Sequence, residues 1–214
     1  MSYYTLYNDT VDRETANTLI NLSNYDDRDN FFIDFEFLSG VDHNIWSDYN
    51  ICERYKTRNP RDTENPYPHN LHVYDLLAES CQPTWDIIAK DKGLELNKEN
   101  CWGIDLIFYG PNTILTPHKD GFDHLIITCL TARNLLEGEG DILLWDQDPE
   151  ALPNIMENFN KVDDSQDRVT LAEGDSVYLD DGKYYHAITP MTQGARVTIV
   201  SRWGNKTPDR GFDY

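Results

Sequence analysis

Positive charge is scarce in this sequence. Eighteen Lys and Arg stand against 38 Asp and Glu, a formal net charge of −20 over 214 residues. So acidic a surface repels phosphate backbones, and no nucleic-acid partner is expected. It suits a neutral or cationic small molecule, and it reads equally as a solubility or salt-adaptation feature. No apolar run approaches the roughly 18 residues a membrane span needs, so no membrane partner is expected. Cysteine is sparse too. Cys52, Cys81, Cys101 and Cys129 show no CxxC spacing. They read as reduced thiols rather than a disulfide framework, with Cys129 in the apolar run 125–130 read as core. Met1 to Asp9 lack a basic n-region and an apolar h-region, so the expected location is cytoplasmic. There is no internal repeat and no low-complexity linker. With 39% hydrophobic and 12% aromatic residues, the chain can bury a core.

The length fits one domain. Residues 1–102 look mixed and read as an α/β buttress of the same domain as residues 103–214. Asp12 followed by Glu14 and Thr15, with Val11, Leu19, Ile20 and Leu22 at roughly helical spacing, predicts a helix over 12–24. Residues 31–38 alternate in their second half and predict a strand. Residues 41–70 show no periodicity and read as a long surface loop. A second helix is expected over 72–93, with Leu76, Leu77, Trp85, Ile87 and Ile88 on one face and Pro83 at a break or first turn.

The texture changes after Asn100. Eight short apolar runs follow: 104–109, 114–116, 125–130, 142–145, 169–171, 176–179, 186–189 and 197–203. Turn residues such as Gly110-Pro111-Asn112 and Glu173-Gly174-Asp175 separate them. Eight such strands predict a mainly β fold with N-terminal helices. One solution is a double-stranded β-helix, a jelly roll of cupin type, over about 103–203.

Thr116-Pro117-His118-Lys119-Asp120 places an imidazole and a carboxylate two residues apart, hence on one side of a strand. His186 follows 66 residues after Asp120, in Tyr184-Tyr185-His186. Two imidazoles and one carboxylate can cap one face of an octahedral metal and leave the other open. His-x-Asp alone is a weak signal in a chain this rich in Asp. Ten residues after His186 stands Arg196, with Thr198 on the same strand face. A guanidinium fork beside a hydroxyl fits a carboxylate.

These residues resemble the 2-oxoglutarate/iron(II) dioxygenase superfamily: His118, Asp120, a distal His186, and Arg196 with Thr198 beyond it. The resemblance covers 104–203. It implies a jelly-roll oxygenase binding Fe(II) through His118, Asp120 and His186. The cosubstrates would be 2-oxoglutarate and O2. Arg196 and Thr198 would hold the far carboxylate, with Tyr109 at a position where prolyl-hydroxylase-like members carry a Tyr. Those members also carry a Tyr where this chain has Leu115. The implied reaction releases succinate and CO2 and hydroxylates a C–H bond. Asp120 argues against halogenation, because halogenating members replace this carboxylate with a small residue, and for hydroxylation, desaturation or cyclisation instead.

A small polar, amino-acid-like substrate is expected. A protein or peptide residue, or a metal-binding cupin-like sensor without catalysis, are the alternatives. Tyr109 reads as a cosubstrate contact or a buried strand Tyr, and Arg202 as a pocket residue or the partner of a surface acid. Thr128 reads as core packing or a cosubstrate contact. His124 lies beyond the Gly121 turn and reads as solvent-facing or supporting. Trp145 and Trp203 read as core or rim; His43, His69 and His72 carry no pattern. The segment 146–168 holds 7 acids and 2 bases and reads as a solvated loop or an acidic lid.

Overall fold

The computed structural model describes residues 4–22, 32–35, 53–58, 71–111, 113–146, 167–180 and 184–204. Eleven strands and two helices are described: β1 (Tyr4–Tyr7), α1 (Arg13–Leu22), β2 (Phe32–Phe35), β3 (Glu53–Arg58), α2 (Leu71–Lys92), β4 (Cys101–Tyr109), β5 (Thr113–His118), β6 (His124–Arg133), β7 (Ile142–Trp145), β8 (Asp167–Val169), β9 (Ser176–Leu179), β10 (Tyr185–Met191) and β11 (Ala195–Trp203). They form a seven-stranded sheet, β1-β9-β6-β11-β4-β3-β2, and a four-stranded sheet, β5-β10-β7-β8. All pairings are antiparallel.

The eight predicted runs are the eight strands β4 to β11; β4, β6, β9 and β11 lie in the large sheet and β5, β7, β8 and β10 in the small one, the chain crossing between sheets at every step except β7 to β8, a jelly-roll order. Period-2 alternation divides β4, β6 and β11 of the large sheet between two cores. Ile107 and Tyr109 of β4, Leu125, Ile127 and Cys129 of β6, and Val200 of β11 face the small sheet, where Ile142, Leu144, Ile188 and Met191 meet them. Ile104, Leu106, Ile126, Leu130, Ile199 and Trp203 face the other way, onto the helices.

The helices cover that outer face. The Asp12 side chain accepts the Thr15 N–H at 2.7 Å and caps α1. Leu19 of α1, and Tyr74, Leu77, Trp85 and Ile88 of α2, are fully or almost fully buried against the sheet. Trp85 meets Trp203 edge-on with centroids 4.9 Å apart. No described helix is long and apolar enough to cross a membrane.

Three expectations need correction. Pro83 lies inside α2, not at a break or first turn. It stands on the exposed side of a helix whose opposite face is buried, and that burial offsets the lost hydrogen bond, a cost of about 3 kcal/mol. Ile87 is 49% exposed, so it leaves the apolar face assigned to it. The stretch 41–70 is not all loop, since Glu53–Arg58 form β3 and pair with β4 from Glu53↔Phe108 to Arg58↔Gly103. Backbone pairing with a core strand, not apolar periodicity, makes that segment β. The rest of that loop, and segment 147–166 of the acidic connection, lie outside the described residues.

Candidate active site

β5 and β10 bring the two histidines together. His118 ends β5 and stands directly opposite His186 of β10 in the antiparallel register. Opposed residues of such a pair have Cα atoms about 4.5–5.5 Å apart. For His118 the description covers the backbone. The His186 side chain is buried and faces the space between the sheets. Asp120 follows β5 and is turned back by buried Gly121 (φ 79°). Its Oδ2 lies 3.7 Å from Nε2 of His186. An imidazole and a carboxylate oxygen at this separation suit a shared cation, because each can give it a lone pair. Next to them, the Lys119 ammonium sits 4.7 Å from the centre of the Tyr185 ring. It links the strand ends that carry the two histidines.

β11 supplies the other side. Arg196, Thr198, Val200 and Arg202 share its inward face by alternation. Arg196 is 1% exposed, and no described residue hydrogen-bonds its Nε, Nη1 or Nη2. The Thr198 hydroxyl is likewise buried without a partner among the described residues. A desolvated guanidinium without a hydrogen-bonding partner is costly, and an anion placed between it and Thr198 would satisfy both. Tyr109 is Arg196's direct neighbour on β4 and is buried. Gly140 (φ 69°) lets the chain pass close to Arg196. A Cβ there would lie 3.5 Å from Arg196 Cδ and 3.3 Å from Met191 Sδ. Across β11, Cys129 pairs with Thr198. Burial raises the Cys129 thiol pKa, and the Arg196 charge only partly opposes this.

Arg202, six residues along the same face, is as buried but fully engaged. Nη1 donates to Asp105 Oδ2 at 2.8 Å and Nη2 to Asp120 Oδ1 at 3.3 Å. Its partners are therefore interior carboxylates rather than a surface acid. This also removes it as a free anion anchor. Asp105 had drawn no notice in the sequence. The signal was there: an acid inside the apolar run Ile104–Tyr109, in phase with inward-facing Ile107 and Tyr109.

Other side chains fall outside this cluster. Thr128 faces the helices and hydrogen-bonds Ser176 at 2.7 Å, so it is packing. Half-buried His124 pairs through Nδ1 with the Tyr178 hydroxyl at 2.8 Å. Trp145 and Trp203 are buried at 3% and 2%.

Residues 109–198 match the family model of the 2OG-Fe dioxygenases, a span running from Tyr109 through His118, Asp120, His186 and Arg196 to Thr198. The fold has the same neighbours. An oxidoreductase of the 2OG-Fe(II) oxygenase family from Burkholderia pseudomallei superposes with a TM-score of 0.65 at 9% identity, covering 98% of this chain and 89% of its own. A Pseudomonas putida prolyl-4-hydroxylase gives 0.58 at 10% identity, covering 95% and 93%. The carbocyclase SnoK of nogalamycin biosynthesis gives 0.59 at 12% identity, covering 99% and 83%. No curated protein matches the sequence. The fold is the jelly roll of the 2OG-Fe(II) oxygenases. The matched segment, 90 of 214 residues, is similar to the 2OG-Fe dioxygenases, whose members use Fe(II), 2-oxoglutarate and O2.

Proposed function

We propose that the chain hydroxylates a C–H bond of a small polar, amino-acid-like molecule, with His118, Asp120 and His186 as the iron ligands. Arg196 and Thr198 bind the far carboxylate of 2-oxoglutarate, and Tyr109 borders it. The observation that carries this is the Arg196–Thr198 pair. A metal-binding jelly roll that performs no oxidation has no use for a buried, partnerless guanidinium beside an orphaned hydroxyl. A dicarboxylate supplies what both lack.

The burial gradient gives the pocket a direction. Arg196 is 1% exposed, whereas the Asp120 side chain keeps 12%. The cosubstrate's far carboxylate therefore sits at the closed end, and the substrate enters at the metal end. Bound iron with 2-oxoglutarate and O2 supplies the oxidation and yields succinate and CO2. The protein's own part is to hold and orient. Asp120 and the histidines present donors, Arg196 fixes the dicarboxylate, and Ile107, Ile127, Leu144 and Ile188 keep water from the space between the sheets. The acidic chain favours a substrate with an ammonium group over an anionic one. Residues 1–102 are read as the buttress of the same domain as the core at 103–214.

The test is succinate formation from 2-oxoglutarate with Fe(II) and O2, across a panel of free amino acids, amines and short peptides. Turnover stimulated by a free amino acid supports the reading. Turnover stimulated by peptides alone would move the substrate to a protein residue. Lack of 2-oxoglutarate binding would remove the anchor.

A further inference from the structure

The proposed reaction leaves a second buried arginine without a role. Arg202 is 3% exposed and holds two carboxylates at once, fully buried Asp105 at 2.8 Å and Asp120 at 3.3 Å. The Asp120 oxygens are thereby divided. Oδ1 accepts from Arg202, and Oδ2 faces His186 Nε2 at 3.7 Å. We propose that Arg202, itself held by Asp105, is a positioning residue that fixes the Asp120 carboxylate so that Oδ2 alone is presented to the metal. The inference rests on the reading of Asp120 and His186 as metal ligands.

The two distances explain why Asp105 is needed. A guanidinium facing Asp120 alone, away from water, would compete with the cation for that carboxylate's charge. Asp105 takes the bond in the charge-assisted range, and Asp120 gets the longer one. Asp120 is steered without being neutralised. A planar fork holds the two carboxylates through separate nitrogens in a fixed geometry, whereas an ammonium would bring both onto one nitrogen. Stability alone does not account for the triad. β4 and β11 are already joined along their lengths, from Arg196↔Tyr109 to Trp203↔Cys101. A buried ion pair adds little to that, since apolar replacements are often as stable.

Arg202→Met would take the guanidinium from the buried Asp105 carboxylate and leave its charge uncompensated by Arg202, so the informative variant is Arg202→Met with Asp105→Asn, which removes opposite charges together. Anaerobic Co(II) titration of the full chain, followed by the d–d absorption band, reads metal affinity and coordination without turnover. The double variant should fold, bind Co(II) about 10- to 100-fold more weakly, and show an altered band because both Asp120 oxygens are released. Arg202→Lys keeps the interior charge but loses the fork, and should give an intermediate loss. Wild-type affinity and spectrum in a folded double variant, or in Arg202→Lys, overturn the inference while the metal site stands. If the wild-type chain binds neither Co(II) nor Fe(II), the metal-site reading falls and this inference falls with it.

Discussion

The two ends of β11 carry arginines on the same face, at 1% and 3% exposure, in opposite company. Arg196 has no hydrogen-bonding partner among the described residues, and Arg202 has two carboxylates. Burial alone would class them together. Their partners separate them: Arg202 is held by carboxylates of the chain, whereas the Arg196 nitrogens are left unsatisfied, as the proposed cosubstrate anchor requires. Each also has a buried thiol whose pKa its charge lowers, Cys129 for Arg196 and Cys101 for Arg202.

Substitution at each end should break this contrast in opposite directions. Arg202→Met should give the largest effect, because it removes the guanidinium from two interior carboxylates. We expect about 3–5 kcal/mol of lost stability in urea unfolding. A variant as stable as wild type would show that the two ends are alike. Arg196→Met should leave the ligand-free chain as stable or more so, yet weaken 2-oxoglutarate binding. Truncated desolvated pairs cost roughly 2–5 kcal/mol, or about 30-fold to several-thousand-fold in affinity. Anaerobic titration would measure it, and the melting-temperature rise on adding 2-oxoglutarate should vanish. Unchanged affinity would remove Arg196 as the anchor.

Thr198→Val should sharpen the contrast more gently. One hydroxyl is worth about 1 kcal/mol, so 2-oxoglutarate affinity should fall roughly fivefold with the metal affinity unmoved. A matched loss of metal affinity would mean that the site had shifted as a whole. The smallest effect concerns the thiols. Burial pushes Cys101 up to about 11, against the Arg202 charge, and it raises Cys129 against Arg196. Both should react slowly with a thiol reagent at pH 8. Cys129 should react more slowly still in Arg196→Met, where the group favouring its thiolate is gone. Faster labelling there would mean that the pocket had opened.

What the sequence revealed follows from which interactions are local. The strands β4 to β11 are legible because each alternates or runs apolar between turn residues; His118, His186 and Arg196 lie on them and Asp120 just after β5. β3 was hidden because Glu53-Arg54-Tyr55-Lys56-Thr57-Arg58 has no apolar period and owes its state to β4 alone. The polar strand-like run of β1 was passed over for the same reason, its partner being β9, more than a hundred residues away. Pro83 sits inside α2 because the buried face around it outweighs the local propensity of proline to end a helix. Arg202 was seen as an inward candidate, but its partners lie on β4 and after β5, and spacing cannot announce a bond to Asp105, 97 residues away.

The Asp105–Arg202–Asp120 triad also sets a charge balance. With Arg196, the four side chains add up to zero, so the interior can close around them without a counter-ion. A metal dication alone would leave two positive charges in excess, and a dicarboxylate alone would leave two negative ones. Together they restore neutrality. In a medium that screens charge poorly, each should therefore raise the affinity for the other by the same factor, as reciprocal linkage demands. The triad makes empty and doubly loaded the two electrically comfortable states of the pocket, and half-loaded the uncomfortable one.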